Sequence, residues 1–288
     1  MAADTVLEDE DVLLEVKDYK SGVKPVWCPG CGDFGVLSAT YKALTTLQLK
    51  PHEVVVVSGI GCSSRIPYFL RTYGIHGVHG RPLPIATGVK MANPSLTVFA
   101  MGGDGDLMSI GAGHLPHAAA RNVDITVIMM DNQTYGLTKA QASPTSATGH
   151  ISKSTPFGAI ARPFKPVVLT LAYGATFVAR GYSGRASELS ELIVQGVRHH
   201  GFAFIHVQSP CTEFHNTYDY YDKAVAEMPP EHDTSDLAAA LHLALTEERV
   251  HLGVFYRDES QPVFEQRSRE FAPEVGEFNL EEYLRRFA

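Results

Sequence analysis

The chain has 288 residues, of which 44% are hydrophobic and 19% are charged. This balance is typical of a globular protein with a packed core, and it excludes a disordered or fibrous chain. A net charge of -8 without clustered basic residues argues against a nucleic acid as the main partner. No apolar run reaches the roughly 18 residues that a membrane span needs, so we expect no membrane association.

The acidic first residues lack the basic and apolar segments of a secretory signal peptide, so we expect a cytoplasmic protein. In that compartment thiols stay reduced. The four cysteines of the chain are therefore expected to be metal ligands or catalytic groups rather than disulfide partners.

Residues 1–22 are acidic and polar, and they are predicted to form a flexible or loosely docked tail. From residue 23 onward, short apolar runs alternate with helical patterns, which predicts an α/β fold with a doubly wound, mostly parallel sheet. The runs are rich in β-branched or aromatic residues, as in parallel strands that are buried on both faces. In chain order the predicted elements are helix 36–47, strand 54–57, helix 85–92, strand 96–101, helix 115–121, strand 125–130, helix 189–199 and strand 202–207.

The alternation weakens towards the C-terminus. The pattern predicts an amphipathic helix with an Asp or Ser cap at 235–248, and an ambiguous short strand at 254–258. We interpret residues 23–225 as the ligand-binding domain. Residues 226–288 are interpreted as an extension that packs on this domain or on a partner.

Each predicted strand leads directly into a loop with an unusual content of glycine, cysteine or polar residues. In a parallel sheet the carboxyl ends of the strands lie along one edge, where ligands bind. We therefore expect these loops to meet in space, although they are far apart in the sequence. The loops are 58–64, 102–106, 131–136 and 208–211.

The strongest signal for a ligand is the run Gly103, Asp104 and Gly105, followed after 26 residues by Asn132. Glycines permit the close backbone approach that a diphosphate group needs. Mg²⁺ prefers oxygen ligands, and a carboxylate, an amide oxygen and a backbone carbonyl suit it together with phosphate and water. A dinucleotide site is disfavoured, because no intact G-x-G-x-x-G follows a predicted strand and opens a helix.

This spacing resembles the thiamine diphosphate motif, and neighbouring stretches narrow the resemblance to one family. They are similar to the β subunit of the 2-oxoacid:ferredoxin oxidoreductases over roughly residues 24–225. One departure is Asp131 before Asn132, where many thiamine enzymes carry a second Asn; only the second position serves as a ligand. The stretches are WCPGCG at 27–32, GIGCSS at 59–64, HGRPLP at 79–84 and YGLTKAQASP at 135–144.

The resemblance implies that Mg²⁺ is bound by the side chains of Asp104 and Asn132 and by the backbone carbonyl of Thr134. It also implies which residues line the thiamine diphosphate site. For His79 alone, a hydrogen-bonded core histidine is the competing interpretation. The residues are Ile60, Gly61, Cys62, Ser63, His79, Gly103, Asp104, Gly105, Asp106, Asn132, Gly136 and Leu137.

The four cysteines are compatible with two kinds of metal centre. By their spacing alone, a four-cysteine zinc site competes with an iron–sulfur cluster, because the C-x₂-C-x₂-C run of bacterial ferredoxins is absent. The resemblance implies a [4Fe–4S] cluster in the same domain, and one of the cysteines lies in a loop expected to contact the cofactor. The cluster ligands would be Cys28, Cys31, Cys62 and Cys211.

Arg65 and Lys139 are the candidate catalytic cations, because each follows a loop of the expected site. A carboxylate substrate is well matched by a guanidinium or ammonium group. A surface charge or an internal salt bridge is the competing interpretation for each residue.

The resemblance implies a coenzyme A-dependent oxidative decarboxylation of a 2-oxoacid, with electrons passing through the cluster to ferredoxin. An α subunit should complete the site in an (αβ)₂ assembly, so we expect the chain alone to be inactive. We favour 2-oxoglutarate over pyruvate as the substrate, with succinyl-CoA and CO₂ as products. The alternatives are a pyruvate-specific member of the family, a non-redox thiamine diphosphate decarboxylase or ligase, and a non-catalytic electron-transfer module.

Overall fold

Strands form the centre of the computed structural model, which describes residues 13–246, 248–271 and 279–287. Within those residues they are β1 (Val54–Ser58), β2 (Tyr73–His76), β3 (Thr97–Gly103), β4 (Thr126–Asp131), β5 (Thr134–Tyr135), β6 (Gln141–Ala142), β7 (Phe177–Tyr182), β8 (Ala203–Gln208), β9 (Val225–Glu227) and β10 (Val250–Arg257). Eight of them form one sheet in the order β2-β1-β3-β4-β8-β7-β10-β9. Neighbours in this sheet are parallel except for β7 with β10, and β5 with β6 forms a separate antiparallel hairpin.

Helices cover both faces of the sheet. In the described part of the chain they are α1 (Asp33–Leu47), α2 (Pro82–Ala92), α3 (Leu115–Arg121), α4 (Pro166–Ala172), α5 (Ala186–Arg198), α6 (Tyr218–Ala224), α7 (Leu237–Thr246), α8 (Phe264–Phe271) and α9 (Leu280–Arg285). Alternate residues of β1 show the two layers. Val54 and Val56 pack with α1 and α5, whereas Val55 and Val57 pack with α2, α3, α4 and α7.

The register of the parallel strands brings their carboxyl ends together. Gly103 at the end of β3 pairs with Met130 of β4, and Asp131 at the end of β4 pairs with Gln208 of β8. All residues of β1, β4 and β8 are buried. The loops that follow these strands therefore leave the sheet at one edge, as the sequence predicts.

The four predicted strands are confirmed as β1, β3, β4 and β8, and four helical patterns correspond to α1, α2, α3 and α5. The sheet is wider than predicted, because the sequence pattern did not indicate β2, β7 or β9. In the fully buried β7, Arg180 and Gly181 interrupt the apolar run. The Arg180 guanidinium lies over the Phe255 ring at 4.9 Å, so tertiary contacts accommodate this cation inside the sheet.

The two terminal segments contact the central domain where the structure describes them. Of the predicted tail at 1–22, residues 1–12 lie outside the described residues. Beyond that, Tyr19 is fully buried, and its hydroxyl lies 2.9 Å from the carbonyl oxygen of Leu44 and 2.8 Å from that of Leu49. Residues 13–22 are thus anchored on the domain by a buried aromatic side chain.

The extension supplies β10 to the main sheet. This strand begins four residues before the ambiguous segment predicted at 254–258 and ends at Arg257. The predicted helix at 235–248 is α7, with residue 247 outside the described residues. Its first turn is capped by Asp236, whose carboxylate accepts the N–H groups of Ala238 at 2.8 Å and Ala239 at 3.0 Å. No helix in the described part of the chain is long and apolar enough to cross a membrane.

Candidate functional site

Two neighbouring cavities open at the carboxyl edge of the sheet. The first, which we call the main cavity, has a volume of about 370 Å³ and is formed mainly by the loops after β1, β3 and β4. This volume is in the range of cofactor pockets. All twelve residues that the sequence assigned to the cofactor line it, and so does Thr134. They are Ile60, Gly61, Cys62, Ser63, His79, Gly103, Asp104, Gly105, Asp106, Asn132, Gly136 and Leu137.

Glycines keep the main cavity open to a closely approaching ligand. Gly61 has a φ of +137°, and a Cβ atom at this position would project into space with no neighbour within 4 Å. A Cβ atom on Gly105 would collide with the ring of Tyr135. The cavity wall is therefore bare backbone at Gly61, as the approach of a diphosphate group requires.

The three residues predicted to bind Mg²⁺, Asp104, Asn132 and Thr134, all line the main cavity. The amide oxygen of Asn132 accepts the N–H of Thr134 at 3.1 Å, which fixes the turn that carries both residues. The carboxylate of Asp104 is buried, and burial together with the charge of Asp131 raises the pKa of Asp104 to about 7. A bound cation would oppose this shift by supplying positive charge.

Asp106 holds the loops of the main cavity together from beneath. Its carboxylate accepts the backbone N–H of Ile60 at 3.2 Å and that of Gly80 at 2.7 Å. Oδ1 of Asp106, which accepts both N–H groups, also lies 2.8 Å from Nδ1 of His79. The side chain of His79 is 38% exposed, and that of Asp106 is 1% exposed. Burial raises the pKa of Asp106, and the two N–H groups partly offset this effect. Asp106 thereby orients His79 towards the cavity.

The second cavity, which we call the cysteine cavity, has a volume of about 390 Å³. All four cysteines line it, together with Arg65 and Lys139. Neither cation is among the side chains that line the main cavity. Arg65 and Lys139, which the sequence suggests as cations near the substrate, thus lie at the cysteine cavity.

Backbone contacts bring the cysteine loops together. The Cys31 N–H donates to the Cys28 carbonyl at 3.1 Å, which closes a turn in which Gly30 has a φ of +76°. The Gly32 N–H donates to the Pro210 carbonyl at 3.0 Å and so joins this turn to the loop after β8. Trp27 donates its indole N–H to the Cys62 carbonyl at 2.7 Å. Three loops of distant sequence are thus fixed around one space.

Burial keeps the thiols of Cys31 and Cys62 protonated when no metal is bound. It raises the pKa of Cys62 to about 11 and that of Cys31 well above its usual range, and the nearby charge of Asp33 acts in the same direction. Asp33 is itself buried, which raises its pKa to about 6, although its oxygen accepts the Ser209 hydroxyl at 2.8 Å. Metal binding at these sulfur atoms would therefore release protons.

One wall separates the two cavities and belongs to both. It consists of Cys62, Asn132, Gly136 and Leu137. A Cβ atom on Gly136 would lie 3.6 Å from Sγ of Cys62 and 3.9 Å from Sγ of Cys211. A ligand in the main cavity and a metal centre on the cysteines would thus be separated by about one layer of residues.

The sequence pattern did not indicate three further residues of the main cavity. Tyr135, Thr138 and Gln141 also line it. All three lie within the stretch 135–144 that carries the family resemblance, so the motif contained the signal. The hairpin of β5 and β6 turns their side chains to the cavity, and the pattern did not indicate this hairpin.

Comparison with known proteins identifies the family. Residues 43–207 match the family model "Thiamine pyrophosphate enzyme, C-terminal TPP binding domain", where thiamine pyrophosphate is another name for thiamine diphosphate. The chain is 44% identical over 263 residues to the 2-oxoacid:ferredoxin oxidoreductase subunit beta of Saccharolobus solfataricus, with 86% of each chain covered. The chain belongs to the 2-oxoacid:ferredoxin oxidoreductases, as a β subunit. It is therefore part of a thiamine diphosphate-dependent oxidoreductase.

Other matches extend this family membership to the C-terminal extension. Residues 213–272 match the family model for the C-terminal part of the pyruvate ferredoxin oxidoreductase beta subunit. The chain is 44% identical over 212 residues to the 2-oxoglutarate oxidoreductase subunit KorB of Mycobacterium tuberculosis, covering 73% of this chain and 57% of that relative. The solved 2-oxoglutarate:ferredoxin oxidoreductase from Magnetococcus marinus has a TM-score of 0.88 and 41% identity, with 96% of both chains covered. Its structure contains 2-oxoglutarate, coenzyme A and succinyl-CoA.

Membership in this family excludes two of the functional alternatives. A non-redox thiamine decarboxylase or ligase is set aside, because the relatives are oxidoreductases that use ferredoxin. A non-catalytic electron-transfer module is set aside as well, because the chain carries the thiamine diphosphate-binding domain.

Proposed function

We propose that this β subunit, together with an α subunit, converts 2-oxoglutarate and coenzyme A to succinyl-CoA and CO₂. One proton and two electrons are released, and two oxidised ferredoxins accept the electrons. The observation that carries this proposal is the wall shared by the main cavity and the cysteine cavity. The choice of 2-oxoglutarate is supported by the relatives from Mycobacterium tuberculosis and Magnetococcus marinus, whose names specify this substrate.

In this proposal the main cavity binds Mg²⁺ and thiamine diphosphate. Asp104, Asn132 and the carbonyl of Thr134 hold the metal, and the bare backbone at Gly61 receives the cofactor. Bound there, thiamine diphosphate supplies an electron sink for cleavage of the bond between C1 and C2 of the 2-oxoacid. His79, oriented by Asp106, presents its ring to the same cavity as a donor or acceptor.

The cysteine cavity would hold a [4Fe–4S] cluster on Cys28, Cys31, Cys62 and Cys211. Four sulfur atoms around a space of about 390 Å³ suit a cluster of several atoms, and bound there it supplies a one-electron exit. The thiol of Cys62 also belongs to the shared wall, which keeps the path for electrons short. Zinc is the competing metal, and iron analysis distinguishes the two.

Partner subunits complete the proposed enzyme. The family name implies an α subunit and ferredoxin, and we propose an (αβ)₂ assembly that acts in the cytoplasm. Apolar side chains that line the main cavity are partly exposed: Ile60 and Leu137 are each 39% exposed. Burial of these side chains by an α subunit would also exclude water from the site. The chain alone should bind cofactors weakly and should show no turnover.

The affinity of the complex for Mg²⁺ is expected to rise with pH up to about 7. Burial raises the pKa of Asp104, so below that pH the metal-free carboxyl is protonated and Mg²⁺ must displace the proton. Affinity should fall by about tenfold per pH unit below 7 and level off above it. The pKa of Asp104 is higher in the folded than in the unfolded protein. The free energy of unfolding of the metal-free protein should therefore fall as the pH rises from about 4 to 7. Calorimetric titration of Mg²⁺ at fixed thiamine diphosphate measures this dependence, and a flat profile contradicts it.

Arg65→Met is expected to impair use of 2-oxoglutarate much more than use of pyruvate. The second carboxylate of 2-oxoglutarate must be paired if it is buried, and Arg65 lies at the cysteine cavity beside the shared wall. Loss of a charge-assisted contact costs about 1.5–3 kcal/mol, which lowers kcat/KM about 10- to 150-fold. The measurement is ferredoxin reduction with both substrates. The exposed Arg71→Met is the control and should change neither value.

The two other outcomes of this substitution are equally informative. Equal loss with both substrates would show that Arg65 binds the carboxylate that both share, or the cofactor. No loss with either substrate would show that the second carboxylate is recognised by the α subunit. Lys139→Met, tested in parallel, addresses the other cation of the cysteine cavity.

A further inference from the structure

A chain of hydrogen-bonding contacts between buried side chains ends at Asp104. Thr145 Oγ1 lies 2.7 Å from Oδ2 of Asp104 and 2.8 Å from Oδ1 of Asp131. The other oxygen of Asp131 lies 2.8 Å from Nε2 of His206, and all four side chains are buried. We propose that Thr145 is a positioning residue for the Mg²⁺ ligand Asp104, and that the pair Asp131 and His206 directs its hydroxyl. This inference rests on the Mg²⁺ site of the proposed function.

The loop that carries Thr145 is itself fixed to the segment after β4. The Ser143 N–H donates to the hydroxyl of Ser146 at 2.8 Å, and this hydroxyl donates to the carbonyl of Gln133 at 2.6 Å. Thr145 therefore contacts Asp104 from a backbone that is held on both sides. Its side chain is buried, with 4% of its surface exposed.

The number of available protons determines the direction of the Thr145 hydrogen bond. A hydroxyl carries one proton and can donate to one carboxylate at a time. Asp131 already has the N–H of Gln133 at 3.0 Å on one oxygen and the ring nitrogen of His206 on the other. Of the two carboxylates, Asp104 is thus the one that needs the proton of Thr145, whose Oγ1 also lies 3.2 Å from Oγ of Ser143. Without its contacts to Gln133 and His206, Asp131 would compete with Asp104 for the hydroxyl proton of Thr145.

A fixed carboxylate has a specific consequence for metal selectivity. Mg²⁺ demands a nearly ideal octahedron, whereas Ca²⁺ accepts flexible geometry and bidentate carboxylates. Because the Thr145 hydroxyl holds Oδ2 of Asp104, the carboxylate cannot rotate freely in the site. Loss of the hydroxyl should therefore weaken Mg²⁺ binding more than Ca²⁺ binding. A residue that only stabilised the loop would not change this ratio.

The test compares Thr145→Val, which keeps the shape of the side chain, with Thr145→Ser, which keeps the hydroxyl. The αβ complex is stripped of metal and cofactor and titrated with Mg²⁺ or Ca²⁺ at fixed thiamine diphosphate in a calorimeter. We expect Thr145→Val to lose Mg²⁺ affinity about 10- to 100-fold, with a smaller loss for Ca²⁺. Thr145→Ser should recover most of the Mg²⁺ affinity.

Several results would overturn the inference. They are unchanged Mg²⁺ affinity in Thr145→Val, an equal loss for the two metals, or a loss in Thr145→Ser as large as in Thr145→Val. If Thr145→Val does not assemble, His206→Gln tests the same chain from its other end, with the same preferential loss of Mg²⁺ expected and unchanged selectivity contradicting it. Unchanged Mg²⁺ affinity in Asp104→Ala would instead show that the metal site itself is assigned wrongly.

Discussion

Cys211→Ser is expected to remove the iron–sulfur cluster of the β subunit and to abolish ferredoxin reduction by the αβ complex. Cys211 is the buried member of the four free cysteines, and its sulfur lies beside Gly136 in the wall between the two cavities. The chain has no fifth cysteine to replace it, and cluster assembly needs thiolate ligands. The measurements are iron and sulfide content of the purified complex and 2-oxoglutarate-dependent reduction of ferredoxin.

Thr212→Ala is the matched control for this substitution. Thr212 is the next residue along the chain, and its hydroxyl donates to the Pro29 carbonyl at 2.9 Å. The control removes a hydrogen bond between the same two loops but leaves every thiol in place, so iron content should stay unchanged. A Cys211→Ser complex that keeps full iron content and full activity would exclude the cluster assignment. Loss of zinc with no change in iron would identify the site as a zinc centre.

Asp104→Ala is expected to weaken binding of Mg²⁺ and thiamine diphosphate by more than about 100-fold. Loss of a residue that only hydrogen-bonds to a metal ligand lowers metal affinity by up to about 100-fold, and loss of the ligand itself should cost more. Asp104 is the one carboxylate among the three proposed ligands, so its loss leaves the diphosphate charge poorly balanced. The fold should survive, because the residue lies beyond the end of β3 and takes no part in the pairing of the strands. Calorimetric titration of both ligands measures the loss, and thermal unfolding without ligands checks the fold.

Asp124→Asn is the control for Asp104→Ala, because it removes a carboxylate far from the proposed metal. Asp124 lies before β4, at the opposite edge of the sheet, where its carboxylate is 2.7 Å from Nζ of the buried Lys90. This change should lower the thermal stability without changing cofactor affinity. Two results together would show that the Mg²⁺ assignment is wrong. They are a loss of thermal stability in Asp104→Ala that is as severe as its loss of cofactor affinity, and no effect of added Mg²⁺ on either measurement.

The sequence was informative about the site because its ligands follow buried strands. Asp104 and Asn132 come directly after β3 and β4, and parallel strands bring such residues to one edge regardless of their separation. Thr145 has no such marker. It lies in irregular structure, 41 residues from Asp104 and 14 from Asp131, so its contacts depend on the path of a loop. No period or spacing indicates that path.

The apolar pattern of the sequence did not indicate β2 or β7, because the residues of these strands are determined by what packs against them. In β7, a Cβ atom on Gly181 would lie 2.7 Å from a methyl carbon of Leu189, so close packing of α5 requires a glycine within a buried strand. β2 is an edge strand whose residues are largely exposed, so it lacks a continuous apolar run. Arg65 illustrates the same limit in the site, because the helical turn Ser63–Phe69 carries it past the main cavity to the cysteine cavity.

In the proposed enzyme, electrons released in the main cavity leave through the cysteine cavity. The most direct test adds 2-oxoglutarate and coenzyme A to the oxidised αβ complex without ferredoxin, and records the electron paramagnetic resonance spectrum. The account predicts the signal of a reduced [4Fe–4S] cluster in the unchanged complex and no such signal in Asp104→Ala, although that variant retains its iron. A reduced-cluster signal of equal size in Asp104→Ala, or in Cys211→Ser, would contradict the account.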